Sequence, residues 1–160
     1  MNPLYIFDLD GTLCDITHRR HHVQQDQSKG SIKLPWKPNW PQFYKDCVHD
    51  TPKPAVIHTL RCLAAHSDVY VWSGRSDEVY EETVDWLQKH VMWGSGRLLE
   101  LTMRKSGDHT PDDVLKSRWY DEMSNDDKAR LVATFDDRDR MVKMWRDLGI
   151  TCFQVAPGDF

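Results

Sequence analysis

Apolar positions along the chain fall into two alternating periods. Leu4-Tyr5-Ile6-Phe7 is an unbroken apolar run that ends in two acids and a glycine, Asp8-Leu9-Asp10-Gly11. It is too short for a helix and shows no polar alternation, so it predicts a strand buried on both faces. From Pro54 onward helical and strand periods take turns. Val56, Ile57, Leu60, Leu63 and Ala64 lie at helical spacing, and residues 69–72 read as a second buried strand ending at Ser73-Gly74-Arg75. Val79, Thr83, Trp86, Leu87 and His90 describe a helix, and residues 98–103 a third strand. Thr110-Pro111-Asp112-Asp113 combines an N-cap hydroxyl, a first-turn proline and an acid three residues after the cap. The helix it opens runs through Lys116 to about Met123. Residues 131–135 form a fourth strand ending at Asp136-Asp137-Arg138; Met141, Val142, Trp145 and Leu148 mark a helix stopped by Gly149, and residues 151–155 a last strand. Trp86, Trp119 and Trp145 share helical spacing with aliphatic residues and read as core.

Strands alternating with helices predict an α/β fold, a Rossmann-like, mostly parallel five-stranded sheet with helices on both faces. Residues 14–52 break the rhythm. His18-Arg19-Arg20-His21-His22 is basic, residues 24–30 are polar, and Pro35-Trp36-Lys37-Pro38-Asn39-Trp40-Pro41 is too rich in proline for a regular element. Long segments of this kind in compact domains tend to be functional. They predict a small lid inserted between the first strand and its crossover helix, within one domain spanning residues 1–160.

Composition changes this picture little. Charged residues make up 29% and apolar ones 39% of the 160 residues, as in ordinary globular chains, and the net charge of −4 argues against strong non-specific binding to duplex nucleic acid. The charge is uneven: residues 14–50 hold six Lys/Arg against four Asp/Glu, or +2, which leaves −6 elsewhere. Cys14, Cys47, Cys62 and Cys152 lack metal-ligand spacing, which predicts reduced thiols and a cytoplasmic location. The first apolar run lacks the length and basic flank of a secretory signal, and no run approaches a membrane span. No obligate protein partner is evident from the sequence.

The chemistry lies at the strand ends. In open α/β sheets ligands bind beyond the carboxyl ends of the strands. Asp8-Leu9-Asp10, Ser73-Gly74-Arg75 and Asp136-Asp137-Arg138 each sit at such an end and should converge on one crevice. In an extended chain the side chains of Asp8 and Asp10 point to the same side. Four acids in one place need a cation, and an all-oxygen acidic site suits Mg²⁺. Magnesium in turn suggests a phosphate substrate, for which Ser73 supplies a hydrogen bond and Lys116 and Arg75 supply positive charge.

Asp8-Leu9-Asp10-Gly11-Thr12, Ser73, Lys116 and Asp136-Asp137 together resemble the four motifs of the haloacid dehalogenase superfamily. The resemblance is closest to the 3′-phosphatase domains of bacteriophage polynucleotide kinase. It rests on Ser73-Gly74-Arg75, Arg104, the helix carrying Asp112-Asp113-Val114-Leu115-Lys116 and the stretch from Asp136-Asp137-Arg138 to Trp145. Phe153-Gln154-Val155-Ala156 and Gly158-Asp159-Phe160 extend it to the end of the sequence. It implies a Mg²⁺-dependent phosphomonoesterase with Asp8 as nucleophile through an aspartyl-phosphate and Asp10 as proton donor and then acceptor. It further implies that Asp8, the Asp10 carbonyl and the Asp136/Asp137 pair hold Mg²⁺, and that Ser73 and Lys116 bind the phosphoryl oxygens. Thr12, Arg19, Gly74, Arg75, Arg104 and Asp112 would make up the substrate-contacting set, with Asp112 fixing Lys116 or Arg104. The implied substrate is a phosphorylated nucleic-acid end, with a nucleotidase acting on free mononucleotides as the alternative. A phosphotransferase and a non-catalytic nucleic-acid-binding module are the remaining readings.

No glycine-rich loop followed by Lys-Ser/Thr occurs, so the sequence predicts no 5′-kinase in this polypeptide. Within the lid, the His18, His21 and His22 spacing fits a solvated basic edge better than a transition-metal site. Arg19 and Arg20 follow the nucleophile closely enough to reach back over it. Trp36 and Trp40 either fill the lid's small core or stack on a base.

Overall fold

The computed structural model describes residues 2–25, 36–91 and 100–158. β1 (Leu4–Asp8) leads into a segment containing β2 (Cys14–Asp15), a 3-10 turn over Thr17–His22, α1 (Trp40–Lys45), a second 3-10 turn over Asp46–His49 and β3 (Thr51–Pro52). Then come α2 (Pro54–Ala64), β4 (Asp68–Ser76), a 3-10 turn over Asp77–Val79, α3 (Tyr80–His90), β5 (Glu100–Arg104) and α4 (Asp112–Glu122). α5 (Asn125–Arg130), β6 (Leu131–Asp136), α6 (Asp139–Asp147) and β7 (Cys152–Gln154) complete the described elements.

β1 is the centre of a five-stranded parallel sheet in the order β5-β4-β1-β6-β7. Its apolar run faces both layers, as its pattern predicts. Phe7 packs with Ile57 and Leu60 of α2 and with Trp86 and Leu87 of α3. Ile6 packs on the opposite face with Trp72, Val142 and Trp145, and the partly buried Trp119 of α4 joins them. Trp145 is ringed by aromatic neighbours, with Trp72 at 5.7 Å and Tyr120 at 6.2 Å between ring centroids. Burying each such side chain contributes roughly 1.5–3 kcal/mol, so the three tryptophans read as core pin the helices to the sheet.

Several elements depart from the sequence reading. β4 runs through Ser73-Gly74-Arg75 to Ser76, and its register against β5 shifts between Ser73 and Ser76. A bulge of this kind re-aims side chains without ending the strand. The first positions expected in the third strand, 98 and 99, lie outside the described residues, as do residues 26–35 of the lid and Asp159 and Phe160. α4 is capped by Pro111 and not by the Thr110 hydroxyl, because Thr110 is engaged elsewhere: its carbonyl accepts from Arg104 Nη1 at 2.6 Å and its hydroxyl from Arg118 Nη2 at 3.3 Å. α5 was not expected, although its signal is present. The Ser124 hydroxyl accepts from the Asp127 N–H at 3.0 Å, with Asp126 and Asp127 in the first turn.

The lid segment holds more regular structure than its prolines suggest. Asn39 caps α1 by accepting from the Gln42 N–H at 3.1 Å, and Pro41 sits in the first turn, where its missing N–H costs nothing. β2 and β3 pair antiparallel, Cys14 with Pro52 and Asp15 with Thr51, and so tie together the two ends of residues 14–52. Trp36 and Trp40 do not form a lid core, being 42% and 44% exposed; Phe43 is the buried ring of α1.

Candidate active site

β1 delivers Asp8 to the carboxyl edge of the sheet, where the chain turns sharply. The Leu9 carbonyl accepts from the N–H groups of Thr12, Leu13 and Cys14 at 3.2, 2.9 and 3.2 Å. Gly11 occupies φ +88°, and a Cβ there would fall inside the Asp137 carboxylate, so both backbone and space require glycine. Because Asp10 lies beyond the strand in this turn, the expectation that its side chain simply follows that of Asp8 fails: the two carboxylates engage different partners.

The first group is Asp8, Asp136 and Asp137, which can present carboxylate oxygens all within 4.8 Å of one another. Lys116, brought in by the first turns of α4, donates to Asp8 Oδ1 at 2.6 Å and to Asp136 Oδ2 at 3.1 Å. Thr12 Oγ1 donates to Asp137 Oδ1 at 3.2 Å and is fully buried, so it braces an acid. Burial drives the Asp8 carboxyl well above the usual range against the pull of Lys116, and Asp136 and Asp137 push it the same way. Burial, then the charge of Asp136, raise Asp137 to about 6. Burial opposes the charge on Lys116, but Asp136 and Asp8 outweigh it and keep the ammonium protonated.

Three acids against one ammonium leave two formal negative charges in this group. That deficit, and a donor set made only of oxygens, fit Mg²⁺, with Asp8, Asp136 and Asp137 as the carboxylates that would hold it. A consequence is measurable without turnover. Mg²⁺ at about a hundred times its Kd should raise Tm by about 5–10 °C at pH 7.5, as followed by circular dichroism. Asp137 is raised in the folded state, so without the cation its contribution to stability falls as pH rises from the ordinary carboxylate value, about 3.9, to about 6. The gain from Mg²⁺ should therefore shrink at pH 5.

The second group surrounds Asp10. Its Oδ1 accepts from Arg19 Nη2 at 2.8 Å and from Arg75 Nε at 2.7 Å. Behind both arginines lies Asp50, a residue the sequence reading did not single out. Asp50 accepts from Arg19 Nε and Nη2, each at 2.7 Å, from Arg75 Nη2, and from the His18 ring at 2.9 Å. Its side chain is fully buried, and its carbonyl accepts from Trp86 Nε1 at 2.8 Å. Burial alone would raise the Asp10 carboxyl, but Arg75 and then Arg19 outweigh it and hold the group at about 2. Arg19 does not reach over the crevice as expected. It is 0% exposed, capped by the Phe43 ring at 4.2 Å, and bound beneath Asp10, because two carboxylates compete for its guanidinium. Arg20 donates to Gln24 Oε1 at 3.1 Å. His18 and His22 bond to different acids, Asp50 and Asp46, and among the described residues no histidine joins a group of metal-ligand geometry.

The third group is Asp112 between Arg104 and Arg138, with ion pairs to both. Arg104 also donates from Nε to the Gly74 carbonyl at 2.9 Å, and a Cβ on Gly74 would crowd Asp112 Oδ1. Asp112 thus fixes Arg104, one of its two expected roles. Ser73, fully buried, accepts from the Arg75 N–H at 3.2 Å.

The sequence profile of the polynucleotide kinase PNKP phosphatase domain matches residues 40–160. A protein of Autographa californica nuclear polyhedrosis virus that bears the name bifunctional polynucleotide kinase/RNA ligase is 33% identical over 130 residues, covering 79% of this chain and 18% of the viral one. Among solved structures, a chain of the Pnkp1/Rnl/Hen1 RNA repair complex superposes with a TM-score of 0.69 at 27% identity, covering 99% of this chain and 44% of that one. This chain therefore spans less than half the length of either relative. A haloacid dehalogenase-like hydrolase from Streptococcus pneumoniae, at 15% identity and TM-score 0.59 over 96% of this chain and 84% of its own, shares the fold. The chain belongs to the PNKP phosphatase-domain family of the haloacid dehalogenase superfamily, and is a phosphatase of the polynucleotide 3′-phosphatase-like kind.

Proposed function

We propose that this chain is a Mg²⁺-dependent phosphomonoesterase that removes 3′-phosphates from polynucleotide ends through a phosphoryl group carried on Asp8, and that residues 1–160 act as one phosphatase domain. The observation that carries the mechanism is the partition of charge at the strand ends. Asp8 sits in a group short of positive charge, and Asp10 in a neighbouring group where two guanidinia match two carboxylates.

An Asp8 oxygen attacks the phosphorus, the bond to the sugar oxygen breaks, and Asp10 gives that oxygen its proton. Water then attacks the phosphorus, Asp10 takes the water's proton, and the bond to Asp8 breaks to release phosphate. Bound Mg²⁺ supplies positive charge that keeps Asp8 ionised and offsets charge on the phosphoryl oxygens. Lys116 holds Asp8 in place and neutralises transferring oxygens, with Ser73 as a further donor. Asp10, held at about 2, rests ionised, the form in which it takes the water's proton. A phosphate dianion brought beside it raises that value, the direction a proton donor needs. Arg19 and Arg75 act through Asp10, whereas Arg104, fixed by Asp112, and the Gly74 backbone line the substrate side. Four free cysteines support a reducing, cytoplasmic setting.

The relatives' names give reason to test RNA first. A 3′-phosphorylated oligoribonucleotide, its DNA counterpart, and 3′- and 5′-mononucleotides are compared by phosphate release with Mg²⁺. The expected order is oligonucleotide 3′-phosphate first in kcat/KM, with activity lost to chelator and restored by Mg²⁺ but poorly by Ca²⁺. Mononucleotides preferred at every salt concentration would make the chain a nucleotidase instead.

A further inference from the structure

The lid leaves two large aromatic side chains, Trp36 and Trp40, exposed to solvent. Trp40 is 44% exposed, although it opens a helix whose buried ring is Phe43. An exposed indole is ordinary by itself. This one is held by two rings on its own face of the helix, three and four residues on. Its ring stacks on Tyr44 at 5.9 Å with 29° between planes, and meets Phe43 edge-on at 5.6 Å.

The stack leads to the active site. Tyr44 is half-buried and packs both against the core under α2 and α3 and against Cys47, Val79 and Met103 beneath β5. Burial raises its phenol, on which the charges of Arg104, Asp112 and Asp10 also act. The preceding residue is bound to the reaction centre through a single guanidinium: Arg19 donates from Nη1 to the Phe43 carbonyl at 3.1 Å and from Nη2 to Asp10 at 2.8 Å. The position of α1 is thus fixed relative to the group that handles the leaving oxygen. Lys37 and Lys45 flank the stack in sequence and add positive charge to this segment.

We infer that Trp40, stacked on Tyr44, is a platform for one nucleobase at the 3′ end of the substrate strand. This rests on the phosphatase acting at polynucleotide ends. A base offers the flat apolar face that completes such a stack. Base–aromatic stacking is also tolerant of base identity, so the platform would select a nucleotide end over a bare phosphate ester without selecting sequence.

The test compares wild type, Trp40→Ala and Trp40→Phe on three substrates. These are a 3′-phosphorylated oligonucleotide, the same strand with a single abasic nucleotide at its first, second or third position from the 3′ end, and p-nitrophenyl phosphate. Trp40→Ala should lose about tenfold more kcat/KM on the intact oligonucleotide than on the ester, and Trp40→Phe should recover most of that ratio. One abasic position should reproduce the loss in wild type, and Trp40→Ala should add nothing to it. Equal loss on the ester and the oligonucleotide, or no loss on either, overturns the platform and leaves the phosphatase reading standing. A wild-type protein that cleaves the ester but leaves every 3′-phosphorylated strand intact overturns the polynucleotide reading, and the platform with it.

Discussion

Asp8→Asn is expected to lower kcat at least about 10³-fold, because an amide keeps the side chain's shape but cannot carry a phosphoryl group. The fold should survive. Asp8 pays for burial with a strongly raised carboxyl, and a neutral amide removes that cost while Lys116 keeps its bond to Asp136. A change of about 1 kcal/mol moves Tm by roughly 2–4 °C in a chain of this size, so melting should stay within that range. The paired measurement is phosphate release from p-nitrophenyl phosphate and thermal melting of the same preparation. A variant with more than about a hundredth of the wild-type rate and an unchanged melting curve would remove Asp8 as nucleophile.

What was legible in the sequence is what short-range pattern encodes. The buried run before Asp8 could be read because a central parallel strand admits no polar alternation. Ser73, Asp136 and Asp137 could be placed because strand ends in such a sheet share one edge, whereas Lys116, in the first turns of α4, was marked by the charge a phosphate needs and by the motif resemblance. The lid was only partly legible. Its six-residue α1 is too short for a periodic signal, and Asn39 followed by Pro41 reads equally well as a turn. The placement of Arg19 was hidden for a different reason. Eleven residues after Asp8, it could have reached over the crevice, and only the fold shows Asp50, 31 positions further on, drawing it beneath Asp10. No local pattern marks Asp50. Its importance comes from two arginines distant in sequence that both need a second carboxylate once they are buried.

Asp50 is accordingly the residue whose loss should reveal most about how the site is set. Asp50→Ala leaves two buried guanidinia facing Asp10 alone, and breaking a buried ion-pair network from one side costs about 3–5 kcal/mol. At 2–4 °C per kcal/mol, that is a fall in Tm of about 6–20 °C. Asp50→Asn keeps the shape and separates support from chemistry. With the second carboxylate neutralised, Arg19 and Arg75 act on Asp10 undiluted, and a group already held at about 2 becomes harder still to protonate. Proton donation to a sugar oxygen should then suffer, by about 100-fold in kcat on a nucleotide 3′-phosphate. Nitrophenolate leaves without a proton, so p-nitrophenyl phosphate should lose far less, and the alkaline limb of the nucleotide rate profile should move to lower pH. Asp10→Asn should slow both substrates, because the water step needs Asp10 as base whichever group has left, with the larger loss on the nucleotide. Equal losses on both substrates, with an unmoved pH profile, would reduce Asp50 to a support of the lid; a loss confined to the poor leaving group would show that it sets the acidity of Asp10 through the two arginines between them.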